Sequence, residues 1–170
     1  MSLRTLALSF FLLPLSAPAL WAESISIPLK KVGEARMKVL FWHVYDSTLY
    51  TSSGKYHPDA RPVRLEIRYQ RNIRSTDLVE RTAFEWQQMG ISQTRYAQWL
   101  QQLEKIWPDV TPNDTLAIEV DNHNQSTFFF NGKLLATLDD PDFGKNFLAI
   151  WLSPSTSQPE HRLALIGEKS

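Results

Sequence analysis

Three side chains able to move protons crowd one extended stretch, MKVLFWHVYDSTLY over residues 37–50: the imidazole of His43, the phenol of Tyr45 and the carboxylate of Asp46. Strand geometry divides them. Alternate side chains point to opposite faces, so His43 and Tyr45 share one face and Asp46 takes the other. A histidine satisfied by hydrogen bonds is the simpler account of this trio than an acid–base cluster. His57, His123 and His161 fall in a loop, a turn and a helix with no i, i+4 pair, so no metal centre is expected. The acidic run Asp139, Asp140 and Asp142 brackets Pro141, where helix capping and dipole pairing explain it better than cation ligation. With no cysteine in the chain, thiol catalysis and most zinc sites drop out. The phosphate-cradling loop, the nucleophile elbow and the dinucleotide fingerprint have no counterpart either, and no cofactor is expected.

The elements that must position these groups follow from periodicity. In residues 37–50 both alternating sets are apolar in the middle, which asks what covers each face. The expectation is a short strand, a turn at Gly33, and one long strand bending near Asp46. TSSGKYHPDARP reads as a loop, and VRLEIRY alternates, with Val63, Leu65, Ile67 and Tyr69 inward. From Ser75 the period becomes helical: one helix with Asp77 and Glu80 as a capping box and Gly90 at its end, then a second from Ser92 to Pro108. Strands TLAIEVD, STFFF and KLLATL come next, the last two joined by Asn131-Gly132, a pair suited to a tight hairpin. Asp140-Pro141 opens another helix, and Ser157 with Glu160 caps a final one that Gly167 closes. The tryptophans of the helices sit at core spacing and become pocket lining only where sheet and helices leave a space.

Residues 1–22 read as an export signal: Arg4, the apolar run LALSFFLLPL, then small residues, with cleavage near Ala22. The expected product, residues 23–170, is one periplasmic or secreted domain with no integral membrane segment. The 18 Lys and Arg balance 18 Asp and Glu, and loss of Arg4 with the leader leaves a formal charge of −1. That balance offers no electrostatic reason to bind nucleic acid. A domain of this size buries roughly 68–70% of its surface and needs no disulfide staples.

Four segments in order, VGEARMKVLFWHVYDSTLY, LEIRYQRNIRSTDLVERTAFEW, FFFNGKLLATLDDPDFGKNFLAIWL and SPSTSQPEHRLALIG, resemble the chalcone isomerase-like family, in particular its exported bacterial branch. The resemblance implies an α+β fold, an open-faced β-sandwich in which an antiparallel sheet carries a layer of helices on one face, with a ligand cleft between the layers. Catalytic members close a flavanone ring with an arginine and a threonine on the first long strand and a tyrosine and an asparagine on a helix. Related members without that activity are similar to fatty-acid binders, in which the arginine and a tyrosine hold a carboxylate. By this resemblance Arg36 matches the arginine and Tyr45 the carboxylate-binding tyrosine, although a separation of nine residues puts them on opposite faces of a regular strand unless a bulge intervenes. The helix STDLVERTAFEWQQMG carries neither the tyrosine nor the asparagine, and Leu78, Ala83 and Trp86 cannot replace their donors.

The expectation is therefore a non-catalytic module that binds a small amphipathic molecule such as a fatty acid, with Arg36, Tyr45, Phe41, His43 and Thr156 as candidate ligand-binding residues. Thr156 and Ser157 have a helix cap as their competing role. Two alternatives stand beside it: an intramolecular lyase acting on an unknown substrate, and a structural or protein-binding module with no cleft.

Overall fold

Alternation of apolar and polar residues builds one antiparallel sheet whose six strands lie in chain order: β1 (Lys30–Val39), β2 (Trp42–Thr51), β3 (Val63–Tyr69), β4 (Thr115–Val120), β5 (Ser126–Phe130) and β6 (Lys133–Leu138). The structure, a computed structural model, describes residues 28–168, so the leader expected over residues 1–22 lies outside the described residues. Cross-strand registers place Leu49, Leu65 and Ile118 on one face and Thr48, Glu66, Arg64 and Glu119 on the other. The first set is buried under helices; the second is a polar surface. Each fully buried Leu, Ile or Phe contributes about 1.5–3 kcal/mol, which makes the helix-facing side the main source of stability. The sheet is thus open-faced, as the α+β reading expects.

The helical layer comprises α1 (Ser75–Gln88), α2 (Gln93–Ile106), α3 (Phe143–Leu152) and α4 (Pro159–Leu165). Gly90, at φ +75°, ends α1 in a Schellman arrangement: Ile91 N–H donates to Trp86 O at 3.0 Å and Gly90 N–H to Gln87 O at 3.0 Å. α2 stops at Trp107, ahead of Pro108, which disfavours helical geometry in the residue before it. Trp86, Trp99, Phe143 and Phe147 pack in a ring cluster with centroid separations of 5.3–6.4 Å, so Trp86 and Trp99 are core.

Three local expectations need correction. Residues 37–50 are not one strand but a hairpin: Leu40 takes φ +55° and with Phe41 turns the chain between β1 and β2. Gly33 makes no turn. It sits within β1 at a register shift, where an added Cβ would lie 2.3 Å from Ala164 O, so its lack of a side chain lets α4 rest on the strand. The two capping boxes are also replaced. Asp77 is held by Arg74 at 2.6 Å while Asp109 accepts from Ser75 N–H at 2.8 Å, and Ser157 hydroxyl turns to Glu85 instead of α4. Asp109 and Glu85, both distant in sequence, take up the Ser75 N–H and the Ser157 hydroxyl, while Asp77 is held by its near neighbour Arg74.

Candidate functional site

The β1–β2 hairpin divides the candidate residues between two faces. Arg36 pairs across it with Asp46, and Met37 with Tyr45. On the open face, Asp46 Oδ1 accepts from Arg36 Nε at 3.1 Å and contacts His43 Nε2 at 2.9 Å, while Oδ2 accepts from Gln70 Nε2 at 3.3 Å. Burial works upward on this carboxyl, but the hydrogen bonds from Arg36 and His43 outweigh it and hold Asp46 below the ordinary carboxylate range. A bulge explains why His43 joins Asp46 and not Tyr45. Between the pairs Met37–Tyr45 and Lys38–His43, Val44 is left over, which reverses the alternation expected for a regular strand.

That bulge also aims two consecutive side chains, Val44 and Tyr45, at a cavity of about 480 Å³ between the sheet and the helices. Such a volume lies within the about 300–1,000 Å³ common for small-molecule sites. Met37, Lys38 and Val39 of the hairpin, Ile67 and Tyr69 of β3, and Leu116 of β4 form its sheet side. Asp77, Leu78, Arg81, Thr82 and Glu85 of α1, Phe147, Ile150 and Trp151 of α3, Ile73, Trp107, and Ser157 with Gln158 complete it. The surface is mainly apolar, and its polar groups include Tyr45, Tyr69, Lys38, Asp77, Thr82, Gln158 and the Arg81–Glu85–Ser157 group. Sheet and helices do not meet flush.

The polar groups have distinct states. Trp151 Nε1 donates to Tyr45 Oη at 3.1 Å, and the Tyr45 hydroxyl proton has no protein acceptor among the described residues. Burial pushes its pKa up to about 12, against a downward pull from the Trp151 hydrogen bond, so Tyr45 is a neutral phenol with a spare donor. The Arg81 guanidinium is paired with the buried Glu85 carboxylate one helical turn on, and Ser157 hydroxyl donates to Glu85 Oε2 at 3.0 Å. Arg81 remains largely exposed at the cavity wall, and Lys38 has no ion pair among the described residues. Trp107 buries an indole N–H with no partner among the described residues, an arrangement that costs about 1–3 kcal/mol unless an acceptor arrives.

Of the five residues singled out by sequence, Tyr45 lines the cavity. Arg36 and His43 lie on the opposite face around Asp46, and Phe41 stands in the hairpin turn, exposed to solvent. Thr156 is buried beside the site, where its hydroxyl donates to Ile150 O at 2.6 Å and accepts from Gln158 N–H at 3.3 Å. These bonds tie the segment between α3 and α4 together, while the N-cap position of α4 falls to Gln158, with no side-chain cap. Arg81, Glu85 and Lys38 escaped sequence reasoning because a Glu four residues after an Arg looks like an ordinary exposed helix pair. The acidic run separates as well: Asp139 accepts from Gln125, Asp140 from Trp99, and Asp142 pairs with Arg95. No group of His, Asp and Glu among the described residues is placed to hold a metal ion.

A second titratable pair lies under β2. Ser47 Oγ and His161 Nε2 are 2.7 Å apart, but Ser47 is fully buried, with the carbonyl of Ala35 at 3.3 Å from the same hydroxyl. Burial pushes His161 down to about 4, against a smaller upward pull from the Arg36 backbone. The pair resembles a nucleophile and base only in composition; no path brings a substrate to it, and it serves to bind α4 to the sheet.

Three comparisons bear on this architecture. A bacterial protein from Haemophilus influenzae with no described activity is 25% identical over 137 residues, spanning 81% of this chain and 67% of that one. The crystal structure of an Arabidopsis thaliana fatty-acid binding protein superposes with a TM-score of 0.64 at 11% identity, covering 85% of this chain and 89% of the other, and so shares the fold. Residues 22–167 match the model of a family described as chalcone isomerase-like, and the chain belongs to that family.

Proposed function

We propose that this protein is an exported, non-catalytic carrier of a fatty-acid-like molecule, which it holds in the cavity between the sheet and α1 and α3. One observation carries the reading: the cavity is mainly apolar, and at its wall a neutral phenol with a spare donor, Tyr45, accompanies the cations Arg81 and Lys38. The fatty-acid-binding neighbour of the same fold supports it. Burial of a methylene contributes about 0.8 kcal/mol, so a long acyl chain offers on the order of 10 kcal/mol before ordering and association costs. A charge-assisted hydrogen bond at the carboxylate adds about 1.5–3 kcal/mol. Apolar contact sets affinity, and Tyr45, Arg81 and Lys38 set orientation.

An intramolecular lyase is the second reading, favoured by the donors that Arg81 of α1 and Tyr45 of β2 bring to a cavity whose helix lacks the family's catalytic tyrosine and asparagine. Native mass spectrometry of protein purified from its own host separates the two. A co-purifying acyl-chain mass, and loss of its binding in Tyr45→Phe for carboxylates but not for neutral alcohols of equal length, is the expected result. A bare chain that accelerates ring closure of a chalcone would instead establish the lyase.

A further inference from the structure

The turn of the β1–β2 hairpin exposes four consecutive apolar residues: Val39 is 56% exposed, Leu40 85%, Phe41 96% and Trp42 59%. Nothing in the sheet or the helices covers them. Burying this apolar tip would gain several kilocalories per mole, and Leu40 accepts a left-handed backbone at φ +55° to place it at the turn. Isolated exposed apolar residues are ordinary, but a contiguous protruding set marks a contact surface.

Charge and position identify the contact. Arg71 lies over the Trp42 ring, its guanidinium carbon 4.4 Å from the ring centroid, and Lys38 stands at the end of β1; neither has an ion pair among the described residues. The chain as a whole has no net charge, so these two free cations beside the tip are a local feature. Tryptophan with arginine and lysine around a protruding apolar end is the chemistry of an anionic lipid interface: the rings enter the acyl boundary and the cations meet the headgroups. The same arms line the cavity through Met37, Lys38, Val39 and Val44, so whatever receives the tip also faces the cavity. A convex two-residue turn fits a fluid bilayer, which needs no shaped counterpart.

We infer that the hairpin tip Val39–Trp42 docks on an anionic phospholipid bilayer and brings the cavity to the membrane. Docking is read at the tip itself, so it stands or falls separately from what the cavity holds. Because the chain has no cysteine, Phe41→Cys in the full chain gives a unique position for an environment-sensitive fluorophore. Gln101→Cys on α2 serves as the control. With vesicles containing phosphatidylglycerol, the expected result is a blue-shifted, brighter emission at position 41 and none at 101, and a weaker response with phosphatidylcholine alone. In flotation, the unlabelled Leu40→Ser/Phe41→Ser variant should partition roughly 100-fold less than the parent chain. Silence at position 41, or an equal response to neutral vesicles, overturns the inference. A response that rises with protein concentration without lipid identifies a second copy as the occupant and overturns it too.

Discussion

The two faces of the β1–β2 hairpin receive similar residue types and use them in opposite ways. On the open face, a carboxylate, a guanidinium, an imidazole and an amide converge around Asp46 in a polar groove. On the helix-facing side, Tyr45 keeps a donor free, Lys38 keeps a charge free, and a cavity of about 480 Å³ separates the walls. Polar residues alone do not make a site. What distinguishes the second face is unmet hydrogen-bonding capacity beside unfilled apolar volume, the combination that a ligand with a polar head and an apolar tail would complete.

The comparison breaks first if the cavity is not where binding occurs. Leu78→Trp on α1 puts an indole into the space, and should reduce affinity for a long-chain fatty acid by on the order of 100-fold in titration calorimetry while the far-ultraviolet spectrum stays unchanged. Next in size is the stability supplied beneath β2. His161 has its pKa lowered to about 4 in the fold, against about 6.5 in an unfolded chain, so the unfolded state takes up the proton first. Stability is complete above about pH 6.5, falls as pH drops toward 4 and then levels, with a total loss of at most about 3 kcal/mol in urea titrations. His161→Gln should flatten that slope. Smallest is the open face: Arg36→Ala removes an exposed partner of Asp46 and should lower stability by about 1 kcal/mol or less, read as a small fall in the urea midpoint.

The architecture was legible because its signals are periodic. Alternation in Val63–Tyr69, the i, i+4 and i, i+3 spacing of Val79, Ala83 and Trp86, and the Asn131-Gly132 turn, whose residues take φ +49° and +77°, each correspond to the element expected. The hairpin tip was illegible for a physical reason. Turns are read from Gly, Asn, Asp and Pro, whereas Leu40 adopts positive φ without any of those aids, at about 1–2 kcal/mol. The misread turn and the unseen bulge at Val44 then carried errors into the site. They placed His43 with Tyr45, while the register puts His43 with Asp46, beside the Arg36 that the family resemblance had offered as the headgroup partner.

Arg81 and Glu85 were hidden differently. Their i, i+4 spacing is that of countless solvent-facing helix pairs, and only the fold turns Glu85 inward to Ser157, 72 residues away in sequence. The position of Gly33 against α4 is similarly a tertiary fact: the residue type signals a special need, but not whether that need is a turn or a close approach.

The most direct test of the account is a side-by-side titration of one long-chain fatty acid into the Arg81→Ala and Arg36→Ala variants. Affinity should fall by about tenfold or more for Arg81→Ala, in line with the loss of a charge-assisted hydrogen bond, and should match the parent chain for Arg36→Ala. A loss confined to Arg36→Ala would mean that the head binds on the open face, and would contradict the assignment of the cavity as the site.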